Sequence, residues 1–227
     1  MGNKSLTAAR VVGYAAMVMV IAALYAAFIY APKEATLGDV QRIFYFHLAA
    51  AWMMMLAFGV VFFGSIMYLV KKQRKWDIWA SASAEIAVVF SFVVMTTGPI
   101  WAKVSWGAWW TWDPRLTSTL VLWLVFIGYL MLRSSITEPS RRASISSVYG
   151  IVGFVDVPIV FMSIRWWRTI HPQLFNGLDM QMAPPMVVTL VIALIAFSLL
   201  YVFFLIYRVR LEEMRDEVEM LKQRINY

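Results

Sequence analysis

Apolar residues run through the chain in six blocks of membrane-crossing length, separated by short segments rich in charge, Pro and Gly. A helix needs about 20 mostly apolar residues to cross the hydrocarbon of a bilayer. The blocks predict spans over Val11–Ala31, Ile43–Val70, Ile78–Ala102, Leu116–Leu132, Ile145–Ile164 and Pro185–Tyr207. The stops between them are legible: Pro32–Arg42, the basic run Lys71–Lys75, a Trp-rich loop reaching Arg115, the turn Arg133–Arg142 with Pro139, and the long loop Arg165–Pro184. The first block is longer than the apolar core of a secretory signal peptide, so it counts as a span although small residues around Ala22 and Ala23 resemble a cleavage site. The fold class expected is therefore an all-α integral membrane protein, a six-transmembrane helix bundle. Its membrane domain covers residues 1–207, and a charged amphipathic helical tail covers 208–227.

Composition agrees with that pattern and narrows the chemistry. The chain is 62% hydrophobic and 15% charged, which leaves no material for a large soluble domain. It has no cysteine, which excludes a disulfide framework, a thiolate metal site, a CxxC redox pair and covalent heme attachment through CxxCH. The formal charge of +7 reports orientation rather than a nucleic-acid partner once the loops are counted. With both termini inside, 14 of the 20 Lys and Arg lie on one side: two before the first span, four in Lys71–Lys75, three in Arg133–Arg142 and five after the sixth span. The other side receives Lys33, Arg42, Lys103, Arg115, Arg165 and Arg168. The positive-inside rule then predicts cytoplasmic termini and an outward-facing Trp loop.

That loop, Trp106-Gly107-Ala108-Trp109-Trp110-Thr111-Trp112-Asp113-Pro114-Arg115, holds four Trp in seven residues, with Trp101 just before it. An aromatic belt would decorate both interfaces, whereas this chain puts Trp101, Trp106, Trp109, Trp110, Trp112, Trp166 and Trp167 outside against Trp76 and Trp79 inside. If the segment is a short interfacial helix, Trp106, Trp109, Trp110 and Asp113 share one face and Trp112 turns away. Such a face suits a flat conjugated ligand, a porphyrin among them, and serves a protein partner equally well.

The chain has two histidines, His47 and His171, and both fall on the outer side. Either alone reads as an ordinary hydrogen-bonded residue near a helix end. Together, from separate elements flanking the Trp loop, they match the two axial positions of a heme iron. His47 lies about one turn inside the second span, and His171 precedes Pro172, which disfavours helix and predicts an extended loop. Heme carries propionates, and Arg115, Arg168 and Arg165 are candidate contacts for them, with lipid phosphate or Asp113 as alternative partners.

Glu85 and Asp156 fall inside spans, where ionisable groups are costly; hydrogen bonding between helices is the plainer reading for each. Gly98-Pro99 and Pro158 predict bends near the outer face. In the tail, Leu211, Met214, Val218, Leu221 and Ile225 repeat at helical spacing among charges, predicting a helix that packs on an inner-face partner or the membrane surface, or is simply solvated.

Trp106-Gly-Ala-Trp-Trp-Thr-Trp-Asp-Pro-Arg-Leu-Thr117 resembles the WWD signature of the heme-handling proteins of cytochrome c maturation, and within them the heme exporter protein C (CcmC/HelC) family. Tyr45–Trp52, Val155–Val160 and Ser163–His171 extend the likeness over most of the chain. The resemblance implies a multi-pass protein of the bacterial inner membrane that holds heme b non-covalently at its periplasmic face. In it His47 and His171 would be the axial ligands, and Trp106, Gly107, Trp109, Trp110, Trp112 and Asp113 would form the WWD platform. It further implies delivery of heme to the periplasmic chaperone CcmE, and association with the transporter subunits CcmA and CcmB and the small protein CcmD. It assigns no catalytic residue. The larger relatives CcmF and CcsA share the loop but usually carry more histidines than the two present here. The chain departs from the family pattern in reading Asp-Pro-Arg after the loop and in placing Pro172 after His171, and neither change removes a ligand.

Two other functions compete. A membrane b-type cytochrome acting in electron transfer would also use two histidines, but usually within the bundle rather than at its rim. A permease using Glu85 and Asp156 lacks an evident path for its solute.

Overall fold

The computed structural model describes residues 2–172, 175–176, 179–180 and 182–225. Helices α1 (Gly2–Tyr25), α2 (Gln41–Lys71), α3 (Arg74–Trp106), α4 (Pro114–Ser135), α5 (Pro139–Phe154), α6 (Asp156–Trp166) and α7 (Pro184–Ile225) make up the bundle. A π-helical stretch, Ala26–Tyr30, prolongs α1. Six helical spans are long and apolar enough to cross a membrane, α5 and α6 together forming the fifth. The chain is an all-α, multi-pass membrane protein with the six spans that its hydropathy pattern predicts.

The helices begin earlier than their apolar blocks, and all but the first end later, because capping groups and charged first turns belong to helices too. At α5, the Glu138 carboxylate accepts from the backbone N–H groups of Ser140 and Arg141 at 2.8 and 2.6 Å, with Pro139 in the first turn. The donated bonds hold the Glu138 carboxyl below its ordinary range. The fifth span departs from the single helix expected over 145–164: it starts at Pro139 and breaks at Val155, between α5 and α6. Pro158 has no N–H to give to the carbonyl of Phe154, so the helical ladder cannot run through this point.

Small residues bring the central helices together. Ala50, Ala57, Ala80, Ala84 and Ala87 are all buried where α2 and α3 pack, the arrangement that lets membrane helices approach closely. Larger rings fill the space beside them: Phe58 of α2 stacks on Phe126 of α4 at 4.0 Å between centroids. Ser83 donates to the Ala57 carbonyl at 2.8 Å and so accepts from the Tyr201 hydroxyl at 2.8 Å, tying α7 to both.

Where the chain turns between α2 and α3, charge replaces this packing. Asp77, 1% exposed in the first turn of α3, accepts from both guanidinium NH groups of Arg133 (2.5 and 2.7 Å) and from Arg74. Arg74 also meets Asp216 at 2.9 Å, and Arg208 meets Glu85 at 2.5 Å and Glu212 at 2.7 Å. Glu85 is thus paired between helices, as its plainer reading predicts. These bonds hold the charged tail, which continues α7 as one helix of 42 residues with no break at Tyr207.

A cavity that joins both histidines

At the opposite end of the bundle from the Asp77 cluster, α2, α3, α4, α6 and the loop after α6 enclose a cavity with about 930 Å3 of empty space, part of it open to the surroundings. His47 and His171 both line it. The rest of its wall is mostly apolar: Phe44, Met54, Met55 and Met95 lie among the side chains that face the space. Sequence reasoning did not single these out, because apolar residues inside spans look alike whether they meet lipid, a neighbouring helix or a cavity.

Local sequence explains how each histidine is presented. His47 stands in the second turn of α2, on a helix anchored at its start by the Arg42–Asp39 bond of 3.1 Å. Its Nδ1 lies 2.9 Å from the Thr97 hydroxyl of α3. Gly98 permits the approach, since a Cβ there would sit 3.2 Å from His47 Cε1. His171 lies beyond the end of α6 in the loop predicted for it. Its ring meets Trp106 edge-on at 6.2 Å between centroids, and its Nδ1 is 3.3 Å from the Pro172 carbonyl. Burial first, then the Arg115 charge, lower its pKa from 6.5 to about 4, against weaker upward pulls from the Pro172 carbonyl and Asp113.

The Trp loop is not the interfacial helix its spacing allows. Trp106 is the last residue of α3; Gly107 caps the helix with φ +74°, and Trp112 also has positive φ, +55°. A left-handed residue at each end keeps 107–113 out of helical geometry. Trp106, Trp109, Trp110 and Asp113 therefore do not share a helical face. The loop instead sorts its indoles: Trp106 and Trp110 line the cavity, while Trp109 and Trp112 are 57% and 71% exposed.

Asp113 closes the loop on the α4 side. It is 6% exposed and caps α4, with Oδ1 accepting from the Arg115 N–H at 2.9 Å. Its Oδ2 accepts from the Thr169 hydroxyl at 2.6 Å and from the Ile170 N–H at 3.0 Å. Thr169 Oγ1 in turn accepts from the His171 N–H at 3.0 Å. One carboxylate so joins the Trp loop to the loop that carries His171. Nothing within either loop signals this pairing, which spans more than fifty residues of sequence.

Of the three candidate cations, the structure brings Arg115 to the cavity wall, and among the described residues its guanidinium has no hydrogen bond or ion pair. Arg165 and Arg168 are exposed and lie outside the wall. Asp156, at the break in the fifth span, has a buried Oδ2 with no hydrogen-bond partner among the described residues. Two histidines, an apolar wall with the three indoles of Trp101, Trp106 and Trp110, and the Arg115 guanidinium fit a planar, metal-bearing molecule with an acidic edge. Among the described residues no three His, Cys, Asp or Glu side chains cluster as a metal site.

Residues 3–224 match the sequence profile of the family described as CcmC, heme exporter protein C. A heme exporter protein C from Bradyrhizobium diazoefficiens is 33% identical over 198 residues, covering 85% of this chain and 74% of that one. Proteins of the same description from Haemophilus influenzae and Rhodobacter capsulatus are each 30% identical, over 84% and 87% of this chain and 78% and 83% of their own lengths.

Proposed function

Because this chain belongs to the heme exporter protein C family, we propose that it holds heme between His47 and His171 at the periplasmic face of the inner membrane and delivers it to the chaperone CcmE for cytochrome c maturation. The observation that carries the proposal is that the only two histidines in the chain line one cavity, although they come from a transmembrane helix and a distant loop. Heme is the cargo, carried non-covalently as heme b; it brings an iron with two open axial positions, a flat apolar ring and two propionates.

Each part of the cavity has a task in that reading. His47, on a helix, is the fixed ligand. His171, on a loop, is the ligand that can withdraw when heme is handed on. Trp106 and Trp110 cover the ring and keep water from it, at little cost in side-chain entropy. Arg115 offers a planar pair of donors to a propionate. The exposed Trp109 and Trp112 extend the WWD loop beyond the cavity, where the chaperone would dock. The end of the bundle that carries the charged tail, facing the cytoplasm by the positive-inside rule, is left for the CcmA, CcmB and CcmD partners that the family relationship supports.

The test is a transfer experiment. Purified protein loaded with heme is mixed with apo-CcmE, and heme is followed by absorbance on the separated proteins. The proposal expects heme to move to the chaperone; full retention by a chaperone-competent mixture sinks the delivery step. H47A and H171A should each change the heme spectrum, and an unchanged spectrum in the double variant refutes the ligand assignment.

A further inference from the structure

His47 is a candidate ligand with two ring nitrogens, and only one of them can face a metal usefully. The hydrogen bonds around it decide which. Thr97 Oγ1 lies 2.9 Å from His47 Nδ1 and 2.6 Å from the carbonyl oxygen of Val93, one turn back on α3. A hydroxyl has one proton, and a carbonyl can only accept. The shorter contact takes the Thr97 proton to Val93, so toward His47 the hydroxyl can only accept. His47 Nδ1 must then donate, which makes the neutral ring Nδ1–H and leaves the Nε2 lone pair bare.

Two further features hold the ring there. Gly98 follows Thr97, and a Cβ on it would press on His47 Cε1 at 3.2 Å, so the edge of the imidazole lies against backbone where other residues would carry a side chain. Pro99 comes next within the helix; with φ confined near −65°, it narrows the ways in which this turn of α3 can move. The His171 ring has the same protonation pattern by a looser route, since its Nδ1 is 3.3 Å from a carbonyl of its own loop.

We infer that Thr97 is the positioning residue for His47: by accepting from Nδ1, it fixes the tautomer and rotation of the ring so that Nε2 binds the heme iron. The inference rests on the heme-ligation reading above. Metal-bound histidines commonly donate their second N–H to an acceptor, and the strength of that acceptor sets the basicity of the ligand. A carboxylate in this place would push charge onto the ring and tighten the bond to iron. Thr97 offers a neutral oxygen already committed to Val93, which orients the ring while leaving it an ordinary imidazole. That choice suits a protein that must give its cargo away.

The test begins without heme. In apo-protein carrying 15N-labelled histidine, long-range 1H–15N correlation spectra identify the protonated ring nitrogen, and His47 is assigned by its loss in H47A. The expected result is Nδ1–H in the native protein, a shift toward Nε2–H in T97V, and return to Nδ1–H in T97S, which keeps the hydroxyl. Heme affinity should fall about 10- to 100-fold in T97V and recover in T97S, in line with the usual effect of losing such a partner. Nε2–H in native protein overturns the inference, and so does a T97V protein that keeps both the Nδ1–H tautomer and native affinity. An unchanged heme spectrum in H47A refutes His47 as a ligand, whatever the tautomer, so the two failures are told apart.

Discussion

Removing the Asp113 carboxylate should weaken heme binding through His171, although Asp113 is not placed against the ligand. In D113A, α4 loses its N-cap, a change that costs about 1 kcal/mol. The Thr169 hydroxyl and the Ile170 N–H lose their shared acceptor. A stranded donor costs about 1–3 kcal/mol, and the low end applies because Ile170 is 51% exposed and water can reach the loop. The total is roughly 3 kcal/mol, of which roughly 2 kcal/mol bears on the loop. At about 1.4 kcal/mol per factor of ten, heme affinity should fall on the order of 30-fold. The assay is a heme titration in detergent or nanodiscs, read by the absorbance of the two-histidine complex. D113N should fall between, because one amide oxygen can serve the cap or the loop but not both. T169V added to D113A should cost little more if both act through one clamp, since coupled residues are not additive. Native affinity in D113A, or fully additive losses in the double variant, would refute the reasoning.

Other expectations follow from the same geometry. His171 in the apo-protein should titrate near pH 4 rather than 6.5, measured by NMR; because its folded pKa is depressed, the stability it contributes is complete above about pH 6.5 and lost as pH falls toward 4, so a midpoint at 6.5 contradicts the burial argument. R115L should weaken heme binding by about tenfold, the order expected for one charge-assisted pair, whereas binding of a heme dimethyl ester, which lacks propionate charge, should be nearly unchanged. D77A should lower the unfolding temperature in detergent substantially, because it strands the Arg133 charge, while Arg74 keeps Asp216; breaking a buried pair costs about 3–5 kcal/mol, and an unchanged melting curve would show the cluster to be dispensable.

The number and order of the spans were legible because a bilayer demands long apolar runs and little else satisfies that demand. Their ends were less so. Residues 139–144 are mostly polar, yet they form the first turns of α5 because Glu138 caps them and Pro139 suits a first turn. The Trp loop misled in the opposite way: positions 106, 109, 110 and 113 fit a helical period, but Gly107, Trp112 and Pro114 interrupt it. Gly107 and the Asp113-Pro114 pair are recognisable stop and start signals, and they outweigh a spacing that four residues can meet by chance. The histidines could be nominated from their rarity and placement. Thr97 and Thr169 could not, and Gly98 was legible only as a bend, because their roles depend on partners far along the chain that only the packed bundle brings close.

The division of the indoles also bears on where a ligand would come from. Trp109, Trp112, Trp166 and Trp167 are all substantially exposed around the cavity end of the bundle. Indoles settle at the boundary between headgroups and hydrocarbon, so this collar acts as a depth gauge that keeps the mouth of the cavity at that boundary. A molecule with an apolar plate and a charged edge would come to rest at the same depth. Its search for the mouth would then run in the plane of the membrane rather than through water, and the few rings outside the cavity would set the dimension in which the rings inside it are found.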